Sequence, residues 1–328
     1  MTVTTTRQGR KVAPPGRRRN VTAMRITVVG AGGVGGFFGG RLAAAGHDVS
    51  FVARGAHLEA MRRNGLTVSS VGGDFTVAPV RATADPGELG ESDAILLAVK
   101  TWQLQQAAEA VKPLVGKETA VVTLQNGVEA PEQAAAILGR EAVVPGIAKV
   151  LAFIESPGRI RHLGANALAF AEWDNGPSPR VERLRAALEE AGIAAERPRD
   201  IWAALWAKFL FVAPLGGLGA VADAPFGPLR DRPGLRSLLG QAMGEVEQIA
   251  RRQGIHLPTD VVAKTLAVVD EQPADGTTSL HRDLRSGRPS ELDAWTGAIV
   301  RLGERAGVPT PVNRFCYEVL SFLAVKLA

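Results

Sequence analysis

Two kinds of hydrophobic pattern divide the chain near residue 199. Before that point, short apolar runs alternate with stretches of helical spacing. Strands that alternate with helices are typical of right-handed βαβ units, in which helices cover both faces of a parallel sheet. The pattern predicts strands at residues 25–30, 47–54, 94–99, 120–124 and 142–147, helices at 32–46, 103–114 and 131–138, and antiparallel strands at one sheet edge within 160–173.

After residue 199, apolar residues recur every three to four positions, as half-buried helices require. Helices are predicted at residues 201–212, 234–253, 259–270, 291–306 and 313–327, and no clear strand signal interrupts them. We therefore predict an α/β protein. A Rossmann-type parallel-sheet domain would occupy residues 24–198, and an all-helical domain that carries substrate and catalytic groups would occupy residues 199–328.

Length and composition agree with two domains, because 328 residues with 46% hydrophobic side chains supply two cores. The formal net charge is +5, but six basic residues and no acidic one fall within residues 1–23. Without those six, 32 basic residues face 33 acidic ones, so the body offers no general attraction to nucleic acid. We predict a disordered basic tail over residues 1–23, either a transit-type extension or, as the favoured reading, an overlong start before Met24.

Several signals for other locations and cofactors are weak or missing. No apolar segment follows the basic tail as in a secretory signal, and the most apolar stretch, residues 203–222, is interrupted by Lys208 and Pro214. Cys316 is the only cysteine, and the five histidines are scattered without metal-ligand spacing. We expect a cytoplasmic protein, monomeric or homodimeric, with no metal, no nucleic acid and no membrane partner.

A glycine-rich loop follows the first predicted strand. It reads Gly30, Ala31, Gly32, Gly33, Val34 and Gly35. In GxGxxG at the start of a βαβ unit, the first glycine permits a tight turn, the second lets the backbone approach a pyrophosphate, and the third lets helix and strand pack. The N–H groups of the first helical turn then bind the anion. We expect the whole run, including Gly33 and Val34, to hold a dinucleotide.

The residue at the end of the second predicted strand indicates whether the cofactor is NAD or NADP. An acidic residue there would bind the ribose 2′-hydroxyl, whereas an arginine favours the 2′-phosphate of NADP. This chain has Arg54 followed by Gly55. The sequence therefore predicts NADPH as the cofactor.

Four further segments occur in a fixed order along the chain. They are VKTWQ with Lys100 and Gln103, LQNGV with Asn126, LWAKFL with Lys208, and TSLHRDLRSGRPSELD with Ser279 and Glu291. With the glycine loop, they make the chain similar to the ketopantoate reductase family from Met24 almost to the C-terminus. This resemblance implies that Lys100 and Gln103 lie beside the nucleotide, that Asn126 contacts nicotinamide ribose and substrate, and that Ser279 and Glu291 meet the substrate.

Lys208 is the candidate proton donor. Reducing a ketone requires a proton donor near the oxygen on which negative charge develops. Lys208 lies among Trp and Phe residues, and desolvation would lower its pKa toward neutrality. Glu291 either positions Lys208 or holds a substrate hydroxyl, and it also marks a helix start. Ser279 would hydrogen-bond the substrate carboxylate.

One departure from the family pattern concerns the substrate. Typical members carry asparagines four and eight residues after the lysine, where this chain has Val212 and Gly216. We expect a substrate-pocket wall with fewer amide donors, more apolar surface and more space. The predicted function is NADPH-dependent reduction of a 2-oxo acid, ketopantoate or a related compound. The alternatives are another NADP-dependent hydroxyacid dehydrogenase of this architecture and a non-catalytic NADP-binding regulatory protein.

Overall fold

The computed structural model describes residues 23–327, with side chains described up to residue 324. The tail predicted over residues 1–23 therefore lies, apart from Ala23, outside the described residues. The strands are β1 (Arg25–Val29), β2 (Asp48–Val52), β3 (Leu66–Ser70), β4 (Phe75–Val77), β5 (Arg81–Thr83), β6 (Ser92–Leu97), β7 (Val115–Thr123), β8 (Val143–Ser156), β9 (Arg159–Phe170) and β10 (Ala194–Glu196).

Twelve α-helices complete the described part of the chain. They are α1 (Gly33–Ala44), α2 (Gly55–Asn64), α3 (Leu104–Val111), α4 (Ala130–Leu138), α5 (Pro179–Glu190), α6 (Ile201–Val221), α7 (Phe226–Asp231), α8 (Pro233–Arg252), α9 (Val261–Asp270), α10 (Ser279–Arg285), α11 (Ala298–Ala306) and α12 (Pro311–Leu327). A π-helical turn at Asp293–Gly297 leads directly into α11.

The ten strands form one mixed sheet in the order β4-β3-β9-β8-β7-β6-β1-β2-β5, with β10 beside β9. From β5 to β8 all neighbours are parallel. β9 then runs antiparallel to β8. Because the strands of the parallel part share one direction, their carboxyl ends meet at one edge, which is where open α/β sheets bind ligands.

The helical part is built around α6. Its N-terminus is capped by Asp200, whose carboxylate accepts hydrogen bonds from the backbone N–H groups of Trp202 and Ala203 at 2.9 and 3.1 Å. α6 is long and apolar enough to cross a membrane by composition, but 61% of its most apolar window is buried inside the protein. It packs against α8, α10 and α12 and is the central helix of this core.

The predicted fold class is confirmed: a Rossmann-like parallel sheet precedes an all-helical part, and among the described residues no strand follows Glu196. The exact domain boundary at residue 198 stays a prediction. One placement was wrong, because β9 lies between β3 and β8 and not at the sheet edge. The short polar strands β3 and β4, which carry no strong apolar pattern, cover it from that side.

Two elements run further than their hydrophobic patterns. β8 continues to Ser156, because pairing with β9 satisfies its backbone beyond the apolar run. α6 was expected to end at residue 212, yet it continues through Pro214 to Val221. Pro214 and the glycines around it are poor helix formers, but buried packing on both sides of the helix outweighs their low propensity.

Gly33 lies where the glycine loop touches the β8 backbone. A Cβ atom at this position would overlap the carbonyl group of Ala152 and lie 2.7 Å from the Cα of Phe153. Neither backbone group can rotate away as a flexible side chain would. The absence of a side chain at Gly33 therefore allows the β8–β9 hairpin to pack on the start of α1.

Gly33→Ala should destabilise the protein by about 1–3 kcal/mol, because overpacking forces backbone shifts. Gly244→Ala is the matched control: it lies in α8 with no atom within 4 Å of an added Cβ, and helix propensity favours it by up to about 1 kcal/mol. Urea unfolding of both variants measures the difference. Equal stability of the two variants would contradict this packing role.

Candidate functional site

Four of the predicted site segments follow neighbouring parallel strands. The glycine loop follows β1, Arg54 follows β2, Lys100 follows β6 and Asn126 follows β7. The strand order β7-β6-β1-β2 brings these carboxyl ends side by side. The sheet therefore gathers at one edge residues that are up to 96 positions apart in the chain, from Gly30 to Asn126.

The glycine loop has the geometry of a dinucleotide cradle. Gly30 has φ +94°, which L side chains rarely adopt. A Cβ at Gly35 would overlap the carbonyl oxygen of Gly30, so its role is close packing of α1 on β1. At Gly32 an added Cβ would meet nothing within 4 Å, which leaves the backbone open to a phosphate group. Val34 is half-buried and packs against the core under the loop.

The guanidinium of Arg54 stands exposed at the start of α2. Its Nη1 donates a hydrogen bond to Oε1 of Gln106 at 3.4 Å. Within residues 23–327 no carboxylate forms an ion pair with Arg54. The charge is thus available to an anion at the end of β2.

Lys208 projects from the second turn of α6, and its Nζ donates a hydrogen bond to the carbonyl oxygen of Ala148 in β8 at 2.7 Å. Burial lowers the pKa of Lys208 to about 8; the negative charge of Glu291 opposes this shift, and Lys149 adds to it. The expected partner was Glu291. Among the described residues, Lys208 instead donates its hydrogen bond to a backbone carbonyl. Glu291 affects Lys208 only electrostatically, by raising its pKa.

Glu291 is 6% exposed, and its carboxylate accepts hydrogen bonds from two residues of the sheet part. Its Oε1 accepts a hydrogen bond from the backbone N–H of Thr101 at 3.2 Å, and its Oε2 lies 3.5 Å from Nζ of Lys100. The Lys100 ammonium also donates to Oδ2 of Asp283 at 3.3 Å. Lys100 therefore reaches across to two carboxylates of the helical part. Its role beside the nucleotide stays a prediction, and these ion pairs are contacts that the prediction did not include.

Asn126 lies on a loop between β7 and α4, next to a cavity of about 140 Å³ that is also lined by Glu291 and Trp102. The preceding residue, Gln125, fixes the loop: its Nε2 donates to the carbonyl oxygens of Leu97 and Val99 at 2.9 and 3.0 Å. Gln103 closes a short 3₁₀ turn just after Lys100 and is half-buried. The loop thus holds Asn126 beside Glu291, which comes from the other half of the protein.

A second set of ion pairs joins the two halves beside this loop. Oε2 of Glu129 accepts from Arg301 at 3.1 Å and its Oε1 from Arg305 at 3.0 Å. Arg301 also donates to Oδ1 of Asp293 at 2.7 Å. No pattern in the sequence pointed to the two contacts of Glu129, because single charges separated by more than 170 positions carry no local signal.

Val212 and Gly216 lie one and two turns beyond Lys208 on the same face of α6. The expectation of extra space at Gly216 was wrong. A Cβ there would meet the six-membered ring of Trp295 at 3.1 Å and Cδ2 of Leu280 at 3.3 Å. The indole ring fills the place of a side chain, so the wall is apolar as expected but closed. Ser279, half-buried, begins α10 next to Leu280.

The structure thus brings Lys208, Glu291, Lys100 and Asn126 into one interdomain site, with the glycine loop and Arg54 further along the same sheet edge. Sequence reasoning missed the Ala148 carbonyl, since a backbone group has no residue signature. It also missed Asp283, although this residue lies in the quoted TSLHRDLRSGRPSELD segment. Within the described residues, no three His, Cys, Asp or Glu side chains are grouped as metal ligands.

Comparison with known proteins gives family matches over both halves of the chain. The family described as Ketopantoate reductase PanE/ApbA matches residues 26–175, and Ketopantoate reductase PanE/ApbA C terminal matches residues 200–324. A 2-dehydropantoate 2-reductase of Mesorhizobium japonicum is 32% identical over 92% of this chain and 98% of its own length.

Solved structures have the same architecture. A PanE/ApbA family ketopantoate reductase from Ralstonia eutropha JMP134 superposes with a TM-score of 0.86 and 32% identity, over 93% of this chain and 99% of the other. A D-mandelate dehydrogenase superposes with a TM-score of 0.85 over 93% and 99% of the two chains, but at 23% identity it shows the common fold alone.

The two family matches together cover most of the chain, and the relatives are matched over almost their whole length. The protein is accordingly an oxidoreductase acting on CH–OH groups and the corresponding ketones, with a nicotinamide cofactor. It belongs to the ketopantoate reductase family.

Proposed function

We propose that this protein reduces a 2-oxo acid to the 2-hydroxy acid with NADPH, and that Lys208 donates the proton. The observation that carries the proposal is the buried ammonium of Lys208, whose pKa is lowered to about 8, at the junction of the cofactor edge and the helical part. A bound nicotinamide cofactor supplies the hydride. The remaining chemistry belongs to side chains of this chain.

Each site residue has a distinct proposed role. Lys208 gives its proton to the ketone oxygen, so that the developing negative charge is neutralised as it forms. Asn126, on its anchored loop, orients the reacting groups. Ser279 binds the substrate carboxylate. Glu291 maintains the charge of Lys208 from a distance and keeps Thr101 and Lys100 in place.

A cofactor-binding regulatory protein is the weaker alternative. Cofactor binding requires the glycine loop and Arg54 but no buried lysine with a lowered pKa. Burying an ammonium group requires compensation by a hydrogen bond and an opposite charge, and binding a cofactor alone does not call for such a group. The other alternative is a different NADP-dependent hydroxyacid dehydrogenase of this architecture. One observation favours it: the face of α6 at Val212 and Gly216 is apolar and closed. This dehydrogenase shares the mechanism and differs only in the substrate side chain.

Lys208→Ala should fold and bind NADPH but lose about 10²–10⁴-fold in kcat, the usual contribution of a positioned proton donor. The glycine loop lies in the other half of the protein, so cofactor affinity should stay within a few-fold of normal. Stopped-flow turnover and cofactor titration by fluorescence measure the two effects. Near-normal kcat in the folded variant would remove Lys208 from the mechanism.

The pH dependence of reduction should report the protonation of Lys208. The group must be charged to act as an acid, so kcat should be constant at lower pH and fall as the pH rises through about 8. Lys208→Arg is the matched control, because its guanidinium stays protonated over this range and the inflection should disappear. An unchanged inflection in that variant would assign the titration to another group.

NADPH should be preferred over NADH, because the 2′-phosphate gains charge-assisted hydrogen bonds from Arg54, each contributing about 1.5–3 kcal/mol. Arg54→Asp should erase or reverse the preference without changing kcat at saturating cofactor. The ratio of kcat/KM for the two cofactors measures it. Equal values in the unmodified protein would contradict the NADP assignment.

Ketopantoate should be a poorer substrate than its deoxy analogue, 2-oxo-3,3-dimethylbutanoate. A hydroxyl buried against Val212 without a partner loses about 1–3 kcal/mol, whereas a methyl group there gains about 0.8 kcal/mol from burial. Steady-state kcat/KM under identical conditions compares them. A tenfold advantage for ketopantoate would show that another group, with Glu291 the first candidate, binds the hydroxyl.

A further inference from the structure

The far end of the proposed substrate site is formed by a residue outside the family motifs. Lys208, Val212 and Gly216 follow one another at four-residue spacing on one face of α6, so Gly216 lies about 12 Å along the helix from Lys208. Val212, between them, is half-buried. The indole of Trp295 covers the Gly216 end of this face, and Leu280 of α10 flanks it.

Trp295 is buried in this position. It is 2% exposed and lies in the π-helical turn that follows Glu291. Its backbone N–H donates to the carbonyl oxygen of Glu291 at 3.0 Å, so the backbone of Trp295 is one helical turn from a residue that lines the interdomain cavity. π-helical turns occur often at functional sites. The buried indole therefore packs at the Gly216 end of this face, while its backbone turn connects to Glu291.

The polar atom of Trp295 has no hydrogen-bond partner among the described residues. The other partly buried indoles differ: Nε1 of Trp173 donates to the carbonyl oxygen of Val143 at 2.6 Å, and Nε1 of Trp202 to that of Trp173 at 3.0 Å. Burying an unpaired donor is unfavourable. The indole of Trp295 thus contributes apolar bulk at this position without the gain of a hydrogen bond.

We propose that Trp295 is a specificity-determining residue of the proposed reductase, closing the substrate groove so that it accepts 2-oxo acids with a compact, branched apolar side chain. This inference rests on the proposed function and names its substrate class. Val212, which is half-buried, supplies apolar surface for methyl groups, and the buried Leu280 and indole close the end behind it. A longer or aryl side chain would overlap the indole ring, since buried side chains are close-packed.

The test compares 3-methyl-2-oxobutanoate with phenylpyruvate, using the NADPH-loaded enzyme. The unmodified protein should favour the compact acid by tenfold or more in kcat/KM. Trp295→Ala should reduce this ratio at least tenfold by admitting the aryl group. Trp295→Phe retains an aromatic ring and loses no hydrogen bond, so it should keep the ratio within about threefold with a smaller loss of melting temperature than Trp295→Ala.

Trp206→Ala is the matched control. Trp206 is also buried in the α6 core, at 3% exposure, but its edge contact is with Phe209 and it lies on the other side of the helix from Lys208. Its truncation should lower the melting temperature and leave the substrate ratio within threefold. A parallel shift of the ratio in both alanine variants, or no shift in folded Trp295→Ala, would overturn the inference.

A binding measurement separates this inference from the proposed function. N-isopropyloxamate and N-benzyloxamate carry the side chains of the two substrates on an amide nitrogen, one atom further from the carbonyl, and cannot be reduced. Calorimetry with NADPH-loaded protein gives their affinities. If these ligands show the Trp295-dependent selectivity and no 2-oxo acid is reduced, the reductase function fails and the role of Trp295 stands. If 2-oxo acids are reduced and the selectivity does not depend on Trp295, the reductase stands and the inference fails.

Discussion

Burial of the Lys208 ammonium is the constraint on which the arrangement of the two halves depends. A charged amine can be taken out of water only when acceptors and an opposite charge compensate it. The carbonyl of Ala148 supplies the acceptor and Glu291 supplies the charge, and they come from opposite halves of the protein. β8, which carries Ala148, also packs on the glycine loop at Gly33. One strand thus contacts both the proposed proton donor and the cofactor loop.

Apolar residues of the sheet part, among them Val128 and Ile147, pack into the core of the helical part, and ion pairs between the halves flank the site on both sides. Lys100 meets Asp283 and Glu291 at one side, and Glu129 meets Arg301 and Arg305 at the other. Charged pairs of this kind add modest stability but specify relative orientation. Asn126 lies between the two sets, so its position relative to Glu291 depends on both.

Much of the fold could be predicted from local patterns. Buried parallel strands are continuously apolar and amphipathic helices repeat every three to four residues, so β1, β6, α3 and α8 were found close to their observed bounds. The short strands β3 and β4 were not predicted, because their pairing with other strands defines them and their own residues carry no long apolar pattern. The site was found in the same way: the GxGxxG loop and Arg54 have local signatures, whereas Asp283 and Glu129 act through partners over 170 residues away.

The sequence by itself determined which chemical groups are available: a glycine loop after a buried strand, an arginine in place of an acid, and a lysine inside an apolar helix. These are properties of neighbouring residues, and neighbouring residues set backbone conformation and local polarity. Only the tertiary structure decided what each group faces. Lys208 binds a carbonyl 60 positions away, and the gap expected at Gly216 is filled by Trp295. Burial and contact depend on the packing of the whole chain, so a pocket's shape cannot be read from the residues that line one helix.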